Sequence, residues 1–328
     1  MCFLLGQKDV TLQRCVIINK EMYLKKSWSL VNMVVIVLML CSACGGRGSE
    51  NVTSQDVGER HFRLPDVPET LTDPVDRANF VVQHYWDDFN FKMSEEKSDS
   101  DFVEQVFVDY VVILALADSV NADQSVSDLV KAAAYYGFGE GLMELACHYL
   151  NHPNSPMRHE VSYLMFLKHY ASLEGLPIEK KERALYLIKQ LQKNRMGSRA
   201  TDFAMVDRKG NRYRLSEIQS PYVILIFNDP DCESCRAMMP QIVSLPELQS
   251  DSVTVVAIYP DSLTEVWRNH AATYPQNWMD VYSPDGEIMA RQLYYLPAMP
   301  SLYLLDKDKK VLLKDADLVT LKNVLDEI

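Results

Sequence analysis

Between residues 61 and 195 the apolar positions recur every three or four residues, the period of helices with one buried face. Asp73-Pro74 reads as a helix start with proline at the first position. Behind it Ala78, Val81, Val82, Tyr85 and Phe89 share a face. Phe102, Val106, Tyr110, Ile113 and Ala117 repeat the spacing, and Val103, Phe107, Val111 and Leu114 add a second apolar face. A helix apolar on two sides is expected in the middle of a bundle. Further helices are expected at about 124–136, 139–151, 156–173 and 179–193, the last burying Ala184, Leu187, Ile188 and Leu191. Short polar joints between six such segments predict an all-helical domain over 61–195, without an internal repeat.

At Arg199 the period changes. Ala200 to Leu215 reads as two short strands around the turn Asp207-Arg208-Lys209-Gly210. Pro221 to Phe227 is an apolar run of strand length, stopped by Asn228, Asp229, Pro230 and Asp231. A helical pattern follows through Arg236, Ala237, Met238 and Met239. Val253 to Tyr259 is another buried strand, and 262–273 an amphipathic helix anchored by Leu263, Val266 and Trp267. Met279 to Tyr282 is a short strand and Ile288 to Leu293 a short helix. Ser301–Leu305 and Lys310–Lys314 pair around the turn Asp306-Lys307-Asp308-Lys309, and a last helix starts near Leu318. The chain therefore reads as α+β with two domains, the second (196–328) an α/β/α sandwich with a central mixed sheet.

Composition adds an export signal and a charge. Lys25 and Lys26 precede the apolar stretch Leu30 to Leu40, too short for a comfortable membrane span, and Cys41-Ser42-Ala43-Cys44-Gly45-Gly46 follows. Small residues before a cysteine resemble a bacterial lipoprotein signal, which implies cleavage after residue 43 and a lipid on the Cys44 sulfur. Met22 would make a cleaner start for such a signal than Met1. The stretch 44–60 is polar, without an apolar period, and is expected to be a tether. Lipidation would hold the protein at a membrane without inserting its fold. The whole chain is at −12, and residues 1–43 carry five basic and two acidic residues, leaving −15 on the 285 that follow. Such a surface argues against nucleic acid as a partner.

The chemistry concentrates in PYVILIFNDPDCESCRAMMP, residues 221–240. Cys232 and Cys235, three apart at the first turn of a helix, can close a small disulfide ring, and the unpaired N–H groups of that turn stabilise a thiolate on the first sulfur. Asp229 and Asp231 oppose that thiolate, whereas Arg236 favours it. In an exported chain a close pair reads as redox-active rather than metal-binding. Cys147, in an apolar helical stretch, is expected to be a buried structural thiol. His148 and His152 lie four apart beside it, but no further ligand completes a metal pattern, so neither metal nor cofactor is expected. Tyr85-Trp86, Tyr135-Tyr136 and Tyr149 either fill a core and its rim or line a groove for a partner.

Strand before the cysteine pair, helix after it, Pro240 five residues on, and Met299-Pro300 directly before a strand together resemble the thioredoxin-like fold. The likeness is nearest to the membrane-anchored TlpA-like or peroxiredoxin-like thiol–disulfide proteins of the Bacteroidota. Leu71-Thr72-Asp73-Pro74 and His84-Tyr85-Trp86-Asp87, with Phe89 and Phe91, resemble the DUF5106 domain that precedes such modules. The resemblance implies that Pro300 is a cis-proline facing the cysteines, with Pro297 the competing position, and that Met299 offers backbone groups to a substrate chain. It also implies Cys232 as nucleophile and Cys235 as resolving thiol, acting on protein thiols or disulfides with a membrane-linked electron donor. Three positions depart from the family. Asp231 stands where an aromatic residue is usual, Ile226 replaces the buried acid six residues before the first cysteine, and Glu233-Ser234 separates the cysteines. A membrane-tethered thiol–disulfide oxidoreductase is the first functional reading. A scaffold lipoprotein whose thioredoxin-like domain contributes mainly shape is the second, since the helical domain carries no chemistry of its own. A peroxidase lacks a supporting Thr/Arg constellation, and no phosphate loop or nucleophile elbow is present.

Overall fold

The structure is a computed structural model that describes residues 62–92, 100–261, 263–270 and 274–328. The described residues divide into two compact units, 62–189 and 190–328. The first is a helical bundle and the second an α/β/α sandwich around a mixed sheet. Among the described residues no helix is long and apolar enough to cross a membrane. Cys44 lies outside them, as do the signal and tether stretches up to residue 60.

Among the described residues six helices build the bundle: α1 (Pro74–His84), α2 (Ser100–Leu114), α3 (Ser119–Tyr135), α4 (Gly139–Leu150), α5 (Glu160–Ala171) and α6 (Ile178–Leu191). Helix α1 starts where the Asp73 carboxylate accepts the amides of Val75 and Asp76, with Pro74 needing no donor partner. Helix α2 buries Val103, Val106, Phe107, Tyr110, Val111 and Leu114, so both of its apolar faces are covered. Helix α3 packs against α1, α4 and α5. It begins five residues earlier than periodicity suggests because Asp118 caps it, accepting the amides of Val120 and Asn121 at 2.9 Å. Helix α5 is shorter than expected, since Pro156 and the turns up to His159 lie outside it.

One residue of this unit corrects the sequence reading. Cys147 is exposed. Helix α4 turns Leu142, Ala146 and Leu150 inward, a spacing of four, and the next residue is rotated by about 100° off that stripe. Tyr135 is 83% exposed at the end of α3, whereas Tyr85 is buried and Trp86 packs among Phe62, Phe89, Phe91 and Tyr110. The aromatic pairs thus split between core and surface.

The sandwich is built on seven strands: β1 (Ala204–Asp207), β2 (Arg212–Arg214), β3 (Tyr222–Phe227), β4 (Val253–Tyr259), β5 (Met279–Tyr282), β6 (Ser301–Asp306) and β7 (Val311–Lys314), in spatial order β2-β1-β5-β4-β3-β6-β7. Strand β3 runs parallel to β4 and antiparallel to β6, which places it at the centre. Its alternation supplies both layers of the core. Val223, Leu225 and Phe227 face Phe203, Val256, Ile258 and Tyr303, while Ile224 and Ile226 face Leu304 and Leu313. Helix α7 (Glu233–Val243) covers the second face through Met239 and Ile242, beside α10 (Leu318–Leu325) with Leu321 and Val324. Between β4 and β6 lie α8 (Thr264–Asn269) and α9 (Glu287–Ala290).

Helix α8 is half the expected length among the described residues. Trp267 anchors it as predicted, but Leu263 is 65% exposed at its N-cap. Trp267 is fixed by its indole N–H to Asp280 and by the Arg208 guanidinium, 4.5 Å above its ring. Lys309, in the turn between β6 and β7, is buried. Its ammonium donates to the carbonyls of Ile218 and Lys307, and burial pulls its pKa down.

Candidate active site

The cysteine loop stands at one end of the sheet because β3 stops there. Five buried apolar residues end at Phe227, and Asn228 makes one more ladder bond, its amide donating to Ile258. Asp229 then turns the chain. Its carboxylate accepts the Asp231 amide at 2.9 Å and its carbonyl accepts the Cys232 amide at 3.1 Å. Helix α7 begins immediately, with Cys232 as its N-cap and Cys235 in its first turn. Residues three apart in a helix share a side, so both thiols point the same way.

Access separates them. Cys232 is half-buried, and Cys235 is 1% exposed behind it. The Asp229 backbone N–H donates to the Cys235 sulfur at 3.4 Å. Burial pushes the Cys235 thiol up to about 12, with the neighbouring Cys232 and the Asp229 charge adding to the rise and the Asp229 N–H opposing it. Both cysteines are free thiols in this structure.

The facing wall comes from the antiparallel register of β3 and β6. Phe227 pairs with Ser301, so the residues just before β6 return to the end of the sheet from which the cysteine loop leaves. The Met299–Pro300 peptide is cis, and among the described residues no other bond is. Cys232 Sγ lies 3.7 Å from the Met299 carbonyl oxygen. The segment ahead of it is pinned at several points. Tyr303 donates its hydroxyl to the Tyr295 carbonyl, Tyr294 to Thr201, and the Asn194 amide to Leu293.

The remaining sequence candidates divide by position. Asp231 is exposed, and the Arg236 guanidinium reaches its carbonyl at 3.3 Å rather than a carboxylate. Asp229 combines a loop-closing role with charge on Cys235. Tyr259, at the end of β4, is pushed up to about 12 by burial and by Asp229, Asp261 and Asp231, so this end of the sheet is acidic. Ile226 is fully buried on the α7 side, an apolar contact at the position where the resemblance implies an acid. Among the described residues no group of three His, Cys, Asp or Glu is placed to hold a metal, and the rings of His148 and His152 are 6.0 Å apart.

Sequence reasoning missed two residues. Asn228, read only as a strand terminator, is buried, with its amide on the Ile226 carbonyl and its Oδ1 accepting the Tyr274 hydroxyl at 2.9 Å. Tyr274 stacks on Trp278. A polar residue at a strand end is one signal for such a partner, but nothing local points to one 46 positions away.

The DUF5106 model, a domain of unknown function, matches residues 41–194, and the AhpC/TSA family model matches 196–314. A thioredoxin-like protein from Bacteroides caccae, of known crystal structure, is 32% identical over 82% of this chain and 99% of its own, with a TM-score of 0.76. The C-terminal domain of an uncharacterised Bacteroides fragilis protein is 33% identical, over 40% of this chain and 98% of its own, with a TM-score of 0.39. The thioredoxin domain of a Bacteroides vulgatus thiol–disulfide oxidoreductase is 21% identical, over 40% of this chain and 96% of its own, with a TM-score of 0.36. No curated protein matches the sequence. On the strength of the near full-length Bacteroides caccae relative, the chain belongs to the thioredoxin-like proteins in which a DUF5106 domain is followed by a thioredoxin-like domain of the AhpC/TSA family.

Proposed function

We propose that the protein is a thiol–disulfide oxidoreductase of the bacterial cell envelope, tethered through a lipid on Cys44, which exchanges disulfides with other proteins through Cys232 and Cys235. The fold is consistent with thiol–disulfide chemistry. The observation that carries the reading is the asymmetry of the pair. One sulfur is accessible at a helix N-terminus beside an acceptor carbonyl, and the other is buried one turn behind it. In this reading the Cys232 thiolate attacks a partner disulfide, forming a Cys232–partner bond and releasing one partner thiolate. The Cys235 thiolate then attacks Cys232, closing the Cys232–Cys235 bond and releasing the second partner sulfur. A membrane-linked thiol donor would return the pair to the dithiol. Met299 supplies the backbone carbonyl against which an extended partner segment would lie, and Pro300 shapes that wall.

The experiment is disulfide exchange with a model protein substrate. Cys232→Ser is expected to abolish turnover and Cys235→Ser to accumulate mixed disulfides. Equal turnover in wild type and Cys232→Ser rejects the proposal. Envelope fractionation with and without Cys44→Ser tests the anchor, and loss of membrane association is the expected result.

A further inference from the structure

The proposed chemistry leaves unexplained how a buried Cys235, with Ile226 in place of an acid, is held ready to ionise. The answer offered here rests on that chemistry and extends it to two residues outside the cysteine motif. Asn228 is the joint between β3 and the cysteine loop, and its side chain is fixed at both ends. Its Nδ2 donates to the Ile226 carbonyl at 3.3 Å, and its Oδ1 accepts the Tyr274 hydroxyl at 2.9 Å. The next peptide N–H, that of Asp229, is the group that donates to the Cys235 sulfur. The tyrosine is itself held by its stack on the buried Trp278, with ring centroids 5.9 Å apart and 22° between planes.

We propose that Tyr274 is a positioning residue for the resolving step: through Asn228 it holds the Asn228–Asp229 peptide with its N–H aimed at the Cys235 sulfur. A hydrogen bond to the sulfur favours the thiolate over the thiol, so this aim lowers the cost of ionising Cys235 against the burial that raises it. The pair carries no proton itself. Tyr274 is half-buried and pushed up to about 12 by burial first, with Asp280 and Cys235 adding, so at neutral pH it remains a donor. The proton of Cys235 leaves to solvent, the thiolate attacks Cys232, and the partner sulfur departs with the electron pair of the broken bond.

Ellman's reagent separates the two steps, because each releases one coloured thiolate. The first appears when Cys232 forms its mixed disulfide, the second when Cys235 displaces the remaining half. The full chain with its five other cysteines replaced by serine is compared with the same chain carrying Tyr274→Phe, Asn228→Ala, or both. The expected result is an unchanged first phase and a second phase slowed about fivefold by Tyr274→Phe, the size of one lost hydrogen bond. Its pH midpoint should rise by about 0.7 of a unit, the same fivefold on the pH scale. The double variant should be little slower than Asn228→Ala alone, since both residues act through one peptide. Equal slowing of both phases in parallel with a lower Tm would reduce the pair to a structural contact and overturn the proposal. So would wild-type kinetics of both phases in Tyr274→Phe. A parent chain with no second phase would instead overturn the redox assignment itself.

Discussion

At the scale of single residues the two cysteines of one helical turn differ in access to water, and that difference sets their reactivity. Native alkylation at mild pH is expected to label Cys147 and Cys232 among the described cysteines. Cys235 should react only after unfolding, since it is 1% exposed. Peptide mapping by mass spectrometry reads this directly, and Cys235 labelled as fast as Cys232 would contradict it. The raised Cys235 pKa also has a sign in stability. The folded protein holds that proton up to about 12, while an unfolded chain releases it near 9. The contribution is therefore fully present below about 9 and is lost as the pH rises toward 12. The reduced protein should lose stability in that window relative to Cys235→Ala, as denaturant midpoints measured across it will show.

At the scale of elements, β3 both organises the core and delivers the cysteine loop. Phe227, its last residue, is fully buried between the rings of Phe203, Tyr294 and Tyr303. Phe227→Ala should cost about 3–5 kcal/mol, the usual range for a buried phenylalanine. Because its Cα pairs with Ser301 at the start of β6, it should also loosen the approach of Met299 to Cys232. Chemical denaturation measures the first effect and the rate of Cys232 alkylation the second. A variant as stable as the wild type would show that the cavity collapses at no cost. Element boundaries were legible in the sequence where a cap reinforced the pattern, as at Asp73-Pro74. They slipped at α3, where Asp118 caps a first turn whose large apolar residue, Val120, is exposed and whose buried Ala122 is small.

At the scale of the whole molecule, every residue of the candidate site falls in the unit 190–328, from Asn228 through Pro300. That fragment, produced alone, should therefore retain disulfide exchange with Cys232 and Cys235 in the same roles. Turnover assayed side by side with the longer chain checks this. Exchange lost from a fragment whose circular dichroism shows it folded would assign part of the chemistry to the helical unit.

The order of elements, the change of period near residue 199, and the two apolar faces of β3 follow from the sequence alone. Each depends on neighbours within a turn or a strand, where backbone geometry fixes which side chains share a face. The same locality placed Cys232 and Cys235 together, since three positions of helix cannot separate them. Tertiary structure decided everything that depends on distant segments meeting. It brought the Met299 carbonyl to Cys232 across 67 positions and the Tyr274 hydroxyl to Asn228 across 46, through the pairing of strands rather than any nearby pattern. It also decided which side of an apolar helix faces inward, leaving Cys147 exposed, and how deeply the Lys309 ammonium could be buried once carbonyls surrounded it. Burial is a property of the assembled core, and a one-dimensional pattern carries it only where one face is plainly more apolar than the rest.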